Sequence, residues 1–263
     1  ALRPEGIEWP RHDDGRPSFK LEHLSAANGL AHAQAHDALS DVRATIALAA
    51  LIRNRQPRLW NFCLALRQKQ AVLTEIGSDR PFIHVSAMYG AERGGMAVVW
   101  PLAQHPTNRN ELIVWDLIHD PAELADLDAE QIRLRLFSKT EDLPEGMTRL
   151  PIRSLAINKS PIVIGNLKVL TPAVIERWHI DMETIARHTE TARRLTPQLA
   201  SRMDEVYQRP RPRGPAPDVD GDLYGGFIGN DDRRRLDDWR ERLDATASQA
   251  AASPETDRSH IQI

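Results

Sequence analysis

The sequence predicts an α+β, multidomain chain, and three observations carry that reading. Residues up to about 76 follow helical periodicity. Residues 77–170 switch to short β-branched and aromatic runs set between Gly, Pro and Asn turns. Helical text then returns at Pro172 and runs to a Pro-rich break at 209–217. A length of 263 residues with 41% hydrophobic content admits two compact domains and a substantial core. We divide the chain at 1–55, 56–208 and 209–263.

The elements follow in order. Residues 1–18 are rich in Pro, Gly, Asp and Arg and read as loop. A short helix begins with Phe19–Leu24 and stops at Asn28-Gly29. Ala38 to Arg53 forms the next helix, with Leu39, Val42, Ile46, Ala49 and Ala50 on one stripe, ended by Gln56-Pro57. Trp60 to Ile76 reads as one further helix with Phe62, Leu64, Leu66, Val72 and Leu73 toward the core. Strands are expected at Pro81–Ser86, Met96–Trp100, Leu112–Leu117, Leu150–Leu155 and Ile162–Ile164. Pro121 to Leu136 is a helical insertion. Pro172 to Tyr207 is helical, Arg209 to Pro217 is a linker, and Arg233 to Leu243 is a last charged helix. No internal repeat occurs.

Composition excludes several function classes. With 34 basic against 37 acidic side chains, the net charge is −3, so nucleic-acid binding requires a local groove rather than a global field. A single cysteine, Cys63, rules out an internal disulfide and fits a reducing, cytoplasmic setting. No apolar run reaches the roughly 20 residues of a membrane helix, so no membrane partner is expected. A monomer is expected. The opening Ala1-Leu2-Arg3-Pro4 lacks a Met and Ser248–Thr256 reads as flexible, so both ends read as parts of a longer protein.

The most informative stretch is Ala35-His36-Asp37-Ala38-Leu39-Ser40-Asp41. In a regular helix His36 and Asp41 stand roughly 140° apart. They converge on one pocket only if His36 sits at or before the first turn, where one holds a metal and the other moves a proton. On spacing alone a solvated helix start, with Asp37 on the N-terminal dipole, is the better account. The flanking text favours the first reading. Pro17-x-Phe19-x-Leu21-x-x-Leu24, then Gly29, then His36-Asp37-Ala38-Leu39-x-Asp41-Val42-x-Ala44-Thr45 resembles the third motif of the DnaQ-like exonucleases that use a catalytic His. Further stretches narrow the resemblance to the bacterial exodeoxyribonuclease I family: Arg3-Pro4-Glu5-Gly6-Ile7-x-Trp9-Pro10, Asp13-Asp14-Gly15, Arg55-Gln56-Pro57-Arg58-Leu59, His105-Pro106-x-Asn108-Arg109-Asn110, Ile157-Asn158-Lys159-x-Pro161 and Leu223-Tyr224-x-Gly226-Phe227.

The resemblance implies an architecture and a chemistry. It makes the chain the C-terminal tail of a DnaQ-like (RNase H-like) exonuclease domain, then an SH3-like β domain with helical insertions, then the start of a helical C-terminal domain. The activity implied is 3′→5′ degradation of single-stranded DNA to 5′-mononucleotides in repair and recombination, with two Mg²⁺ ions or Mn²⁺ in their place. Asp41 matches the metal-binding carboxylate and His36 the general base. Lys20 matches a basic residue near the 3′-terminal phosphate, where the family more often has Arg. Lys69, Asn110 and Arg153 match strand-contacting residues. Phe62, Arg80 and Arg193 sit where the family binds the acidic, Phe-ended tail of single-stranded DNA-binding protein.

The family's first-strand D-x-E and middle Asp belong upstream of Ala1, so the metal site is expected to be incomplete in this chain. Asp128-Ala129-Glu130 and Asp181-Met182-Glu183 are in the wrong chain order and read as helix surface. The arginine-rich stretch from Arg53 to Lys69, with Trp60 and Phe62 interleaved, reads either as a phosphate track or as a solvated helix face. His84, His105, His179 and His188 make no zinc pattern. The competing class is a non-catalytic DNA- or partner-binding module that makes no use of His36.

Overall fold

The computed structural model describes residues 2–30, 38–208 and 229–252. Residues 1–210 and 211–263 pack as two units. The first is organised on a five-stranded antiparallel sheet in the order β4-β3-β2-β1-β5. Its strands are β1 (Phe82–Val85), β2 (Met96–Gln104), β3 (Glu111–Asp116), β4 (Ile152–Ala156) and β5 (Ile162–Ile164). All five fall on the runs that the sequence marks. Strand β2 runs past Trp100 to Gln104 because the register against β3 shifts between Pro101 and Ala103, a bulge that absorbs the proline.

Period-two alternation divides the sheet's side chains into two cores. Ile83, Met96, Val98, Trp100, Ile113, Trp115 and Ile152 face one side, and Phe82, Ala97, Val99, Val114 and Leu155 face the other. The first side is covered by α5 (Ala129–Phe137), α6 (Pro172–Trp178) and α7 (Met182–Gln208). Helix α7 places Ile185, Ala192, Leu195, Leu199, Met203 and Val206 inward at three- and four-residue steps. The second side is covered by α4 (Lys69–Ile76), through Val72 and Ile76. Gly165, just past β5, lies against the Glu75 carbonyl so closely that no side chain could be accommodated, and its N–H bonds Glu75 Oε2 at 2.8 Å.

The N-terminal segment adds α1 (Leu21–Ala27), α2 (Ala38–Arg55) and α3 (Pro57–Ala65). Three helical stretches differ from the sequence reading. Trp60–Ile76 is split between α3 and α4, because the chain turns at Leu66–Gln68 to bury Leu66. Leu64 and Leu73 are then partly exposed rather than core residues. Pro121–Leu136 begins as a 3₁₀ turn at Pro121–Ala125, and the α-helix starts only where Asp128 caps it. Pro172–Tyr207 is broken at His179, which adopts a left-handed conformation (φ 51°) and separates α6 from α7.

In the second unit, α8 (Asn230–Ala252) carries Asp–Arg pairs three residues apart, with Leu236, Trp239 and Leu243 exposed. The linker expected at 209–217 and the Leu223–Phe227 motif lie outside the described residues.

Candidate nucleic-acid interface

Asp41 lies in the first turn of α2 and is half-buried. A carboxylate is favoured there by the helix dipole. Its main-chain oxygen accepts the Thr45 hydroxyl at 2.8 Å. His36 lies outside the described residues. Among the described residues no three His, Cys, Asp or Glu side chains converge on a metal position.

Both D-x-E triplets turn out to be helix starts. Asp128 accepts the Gln131 N–H at 2.8 Å while the Gln131 side chain accepts the Asp128 N–H, a capping box on α5. Asp181 accepts the Thr184 and Glu183 N–H groups, each at 3.0 Å, and the Thr184 hydroxyl at 2.7 Å. The bonds from Thr184, backbone first, hold its carboxyl below the usual range.

Lys20 is exposed at the start of α1, with Nζ 3.9 Å from Glu22 Oε1. Its approach is fixed from behind. The buried Ser18 hydroxyl is 2.7 Å from His23 Nδ1 and accepts the Lys20 N–H at 3.4 Å.

Two of the three expected strand contacts are joined directly. Lys69 Nζ, at the first residue of α4, donates to Asn110 Oδ1 at 2.8 Å. Asn110 is held by its own turn. Its N–H bonds Asn108 Oδ1 at 3.0 Å, and its carbonyl accepts the Ile157 N–H at 2.8 Å. The His105–Asn110 motif is this turn: His105 Nδ1 accepts the Asn108 N–H at 3.2 Å, and Asn108 Nδ2 donates to Glu111 Oε1 at 2.8 Å. Arg153 is exposed on β4 opposite Val114. Alternation puts it on the α4 side of the sheet, four residues before Ile157 and so about 13 Å along the strand from Asn110.

That end of the face carries a cluster which motif reading did not single out. Arg93 forks onto Asp116 through contacts of 2.6 and 3.1 Å. His84 Nδ1 lies 2.9 Å from the Tyr89 hydroxyl, and the Arg93 guanidinium stands 5.6 Å from the Tyr89 ring. Burial lowers the His84 pKa to about 4 and raises that of Tyr89. An Arg and an Asp 23 residues apart have no sequence signal beyond their presence. Burial likewise pushes the Cys63 thiol up, away from nucleophilic use.

The three residues matched to the protein-tail site are each occupied. Arg80 turns back over the end of α4 and donates to the Thr74 and Glu75 carbonyls at 3.0 and 3.1 Å. Arg193 bonds Glu190 at 2.5 Å, approaches Asp79 at 3.5 Å and stacks 5.3 Å from the Trp100 ring. Asp79 thus links the corner that holds both arginines. Phe62 is half-buried and packs against both cores.

An antiparallel sheet of this order, with helices over both faces, defines an SH3-like β domain with helical additions. The chain belongs to the exonuclease I SH3-like domain family, whose model matches residues 67–209. Exodeoxyribonuclease I of Escherichia coli (strain K12) is 41% identical over 238 residues, which is 90% of this chain and 50% of that protein. The solved structure of E. coli exonuclease I in complex with a dA16 oligonucleotide aligns with a TM-score of 0.79 at 39% identity, over 91% of this chain and 51% of that one. A structure of SSB/exonuclease I in complex with the inhibitor CFAM aligns with a TM-score of 0.74 at 38% identity, over 89% and 48%. The chain spans about half the length of the relatives it matches.

Proposed function

We propose that this chain is the central part of a single-strand-specific 3′→5′ exodeoxyribonuclease that releases 5′-mononucleotides in DNA repair and recombination. The observation that carries the proposal is the 41% identity to exodeoxyribonuclease I across nine-tenths of the chain. In this reading Lys69, Asn110 and Arg153 hold successive phosphates of the strand along the α4 side of the sheet. Lys20 takes the 3′-terminal phosphate as a point charge. His36, with an unperturbed pKa near 6.5, removes the proton from the attacking water. Divalent cations, Mg²⁺ or Mn²⁺ in its place, supply charge stabilisation in this chemistry. Asp41 is the described carboxylate proposed to hold them, and the other ligands lie outside the described residues.

Phe62, Arg80 and Arg193 are proposed to take the acidic, Phe-ended tail of single-stranded DNA-binding protein, with Arg193 exchanging Glu190 or Asp79 for the terminal carboxylate. The protein would work as a cytoplasmic monomer.

One observation favours a second reading. The described residues hold no converging ligand set, which suits a module that binds the strand without cutting it. The test is an assay with a 5′-labelled single strand and Mg²⁺, using this chain together with the coding sequence that precedes Ala1. Shortening from the 3′ end with release of mononucleotides is expected, with the same sequence resisting as a blunt duplex. His36→Ala should slow release by roughly 10²–10⁴-fold. Tight binding without any release selects the second reading.

A further inference from the structure

We propose that the groove between the N-terminal segment and the end of α6 is a stacking site for one base of single-stranded DNA. The proposal rests on the single-strand reading above. Trp9, Phe19 and Trp178 line the groove with Arg11, Arg177 and Pro17, around a volume of about 210 Å³. That is below the roughly 300 Å³ at which drug-sized pockets begin, so it takes one ring system rather than two nucleotides.

The aromatic side is pre-arranged. Trp9 Nε1 donates to the Pro4 carbonyl at 3.0 Å, which fixes the indole, and the Phe19 ring stands against it edge to face at 6.1 Å and 78°. Phe19 nonetheless remains 41% exposed. Trp178 packs against the sheet core and so cannot swing away when it meets a ligand. Rings held in place in this way meet a ligand at little ordering cost, and every base has a π-face to offer.

Charge selects the occupant. Both ionisable side chains in the lining are arginines. Arg11 gives one N–H to the Gly15 carbonyl at 2.6 Å, and Arg177 has no ion-pair partner among the described residues. Lys20, the residue proposed for the terminal phosphate, directly follows Phe19. A nucleotide near the strand's 3′ end satisfies the rings and the cations together. A proline-rich peptide would use the rings and leave the arginines idle.

The test is a set of anisotropy titrations of the whole protein with a short oligothymidylate and with an abasic strand of equal length. The wild type should prefer oligothymidylate by about tenfold, and Phe19→Ala should remove that preference while leaving the abasic strand's affinity unchanged. Arg177→Glu, at an exposed position, should weaken both strands several-fold and keeps the test open if Phe19→Ala does not fold. Equal wild-type affinity for the two strands overturns the proposal, and so does Arg177→Glu binding as wild type. Lys69→Ala separates the two layers. If it weakens binding while Phe19→Ala does not, the single-strand reading stands and the groove falls. If the wild type binds neither strand, both fall. A proline-rich peptide that binds and is lost in Phe19→Ala, with oligothymidylate unaffected, reassigns the groove to a peptide.

Discussion

The sheet and helix α2 are both rich in apolar residues, yet they bury them oppositely. In the sheet, Trp100, Ile113, Val114 and Trp115 have no exposed surface, because α7 closes one face and α4 the other. In α2 only Ala44 is buried, while Leu39, Val42 and Ile46 are 56%, 54% and 63% exposed. The residue types hardly differ; what differs is the second layer. A strand's alternating faces are satisfied here by helices of the same unit, several of them distant in the chain. The α2 stripe is left uncovered among the described residues, and a contiguous apolar stripe of that kind marks an interface. The contrast assigns the two regions different tasks. On the proposed function the sheet is the platform that holds the strand, and α2 is one layer of a site that further protein completes. Under the proposed function that layer is the exonuclease domain, and it carries Asp41.

Point substitutions in each region test this contrast. Trp115→Ala empties a fully buried position and removes the indole N–H that bonds the His119 carbonyl at 2.9 Å. It should cost about 3–5 kcal/mol in a urea unfolding experiment. A loss below 1 kcal/mol would show that the sheet is not the stable half.

Acid should also act on the sheet. The folded pKa of His84 is depressed to about 4 by burial, against about 6.5 unfolded. The unfolded chain therefore binds more protons between those values, and stability is full above about pH 6.5 and falls as pH drops toward 4. The loss should amount to a few kcal/mol at most, and it should shrink in His84→Gln when unfolding is followed across that range. An unchanged acid limb in the variant would remove His84 from the account.

Lys69→Ala is expected to act on binding alone. It should weaken single-strand affinity a few-fold and lower the slope of log affinity against log salt by roughly one, with stability within ~0.5 kcal/mol of wild type. The smallest expected effect is that of Ile46→Ser on α2, within about 0.5 kcal/mol in this chain, with a gain in solubility. A loss above 2 kcal/mol would mean that the stripe is already covered, and the comparison would fail.

The strands were legible in sequence because each is a short β-branched or aromatic run between strong turn residues. The sheet order was not, since pairing between β3 and β4 spans an insertion of more than thirty residues that carries no register signal. Helix breaks escaped for a related reason. His179 ends α6 in a left-handed conformation without glycine, and Leu66 is turned inward by tertiary packing rather than by a local stop. Asp41, Lys69, Asn110 and Arg153 were proposed from motif order and resemblance. The Lys69–Asn110 bond and the Arg93–Asp116 fork are long-range pairings that spacing cannot reveal. Arg80 and Arg193 were placed by resemblance, while the partners that already engage them, helix carbonyls and two carboxylates, are products of the fold.

Whether α2 brings Asp41 to a nuclease site while the sheet holds the strand can be decided with one variant. Asp41→Ala would be assayed for mononucleotide release and for single-strand affinity, in the protein that includes the sequence preceding Ala1. The account predicts that release is abolished while affinity, measured by anisotropy, stays within a few-fold of wild type. Release at the wild-type rate would contradict it, since no step of the proposed reaction survives without that carboxylate.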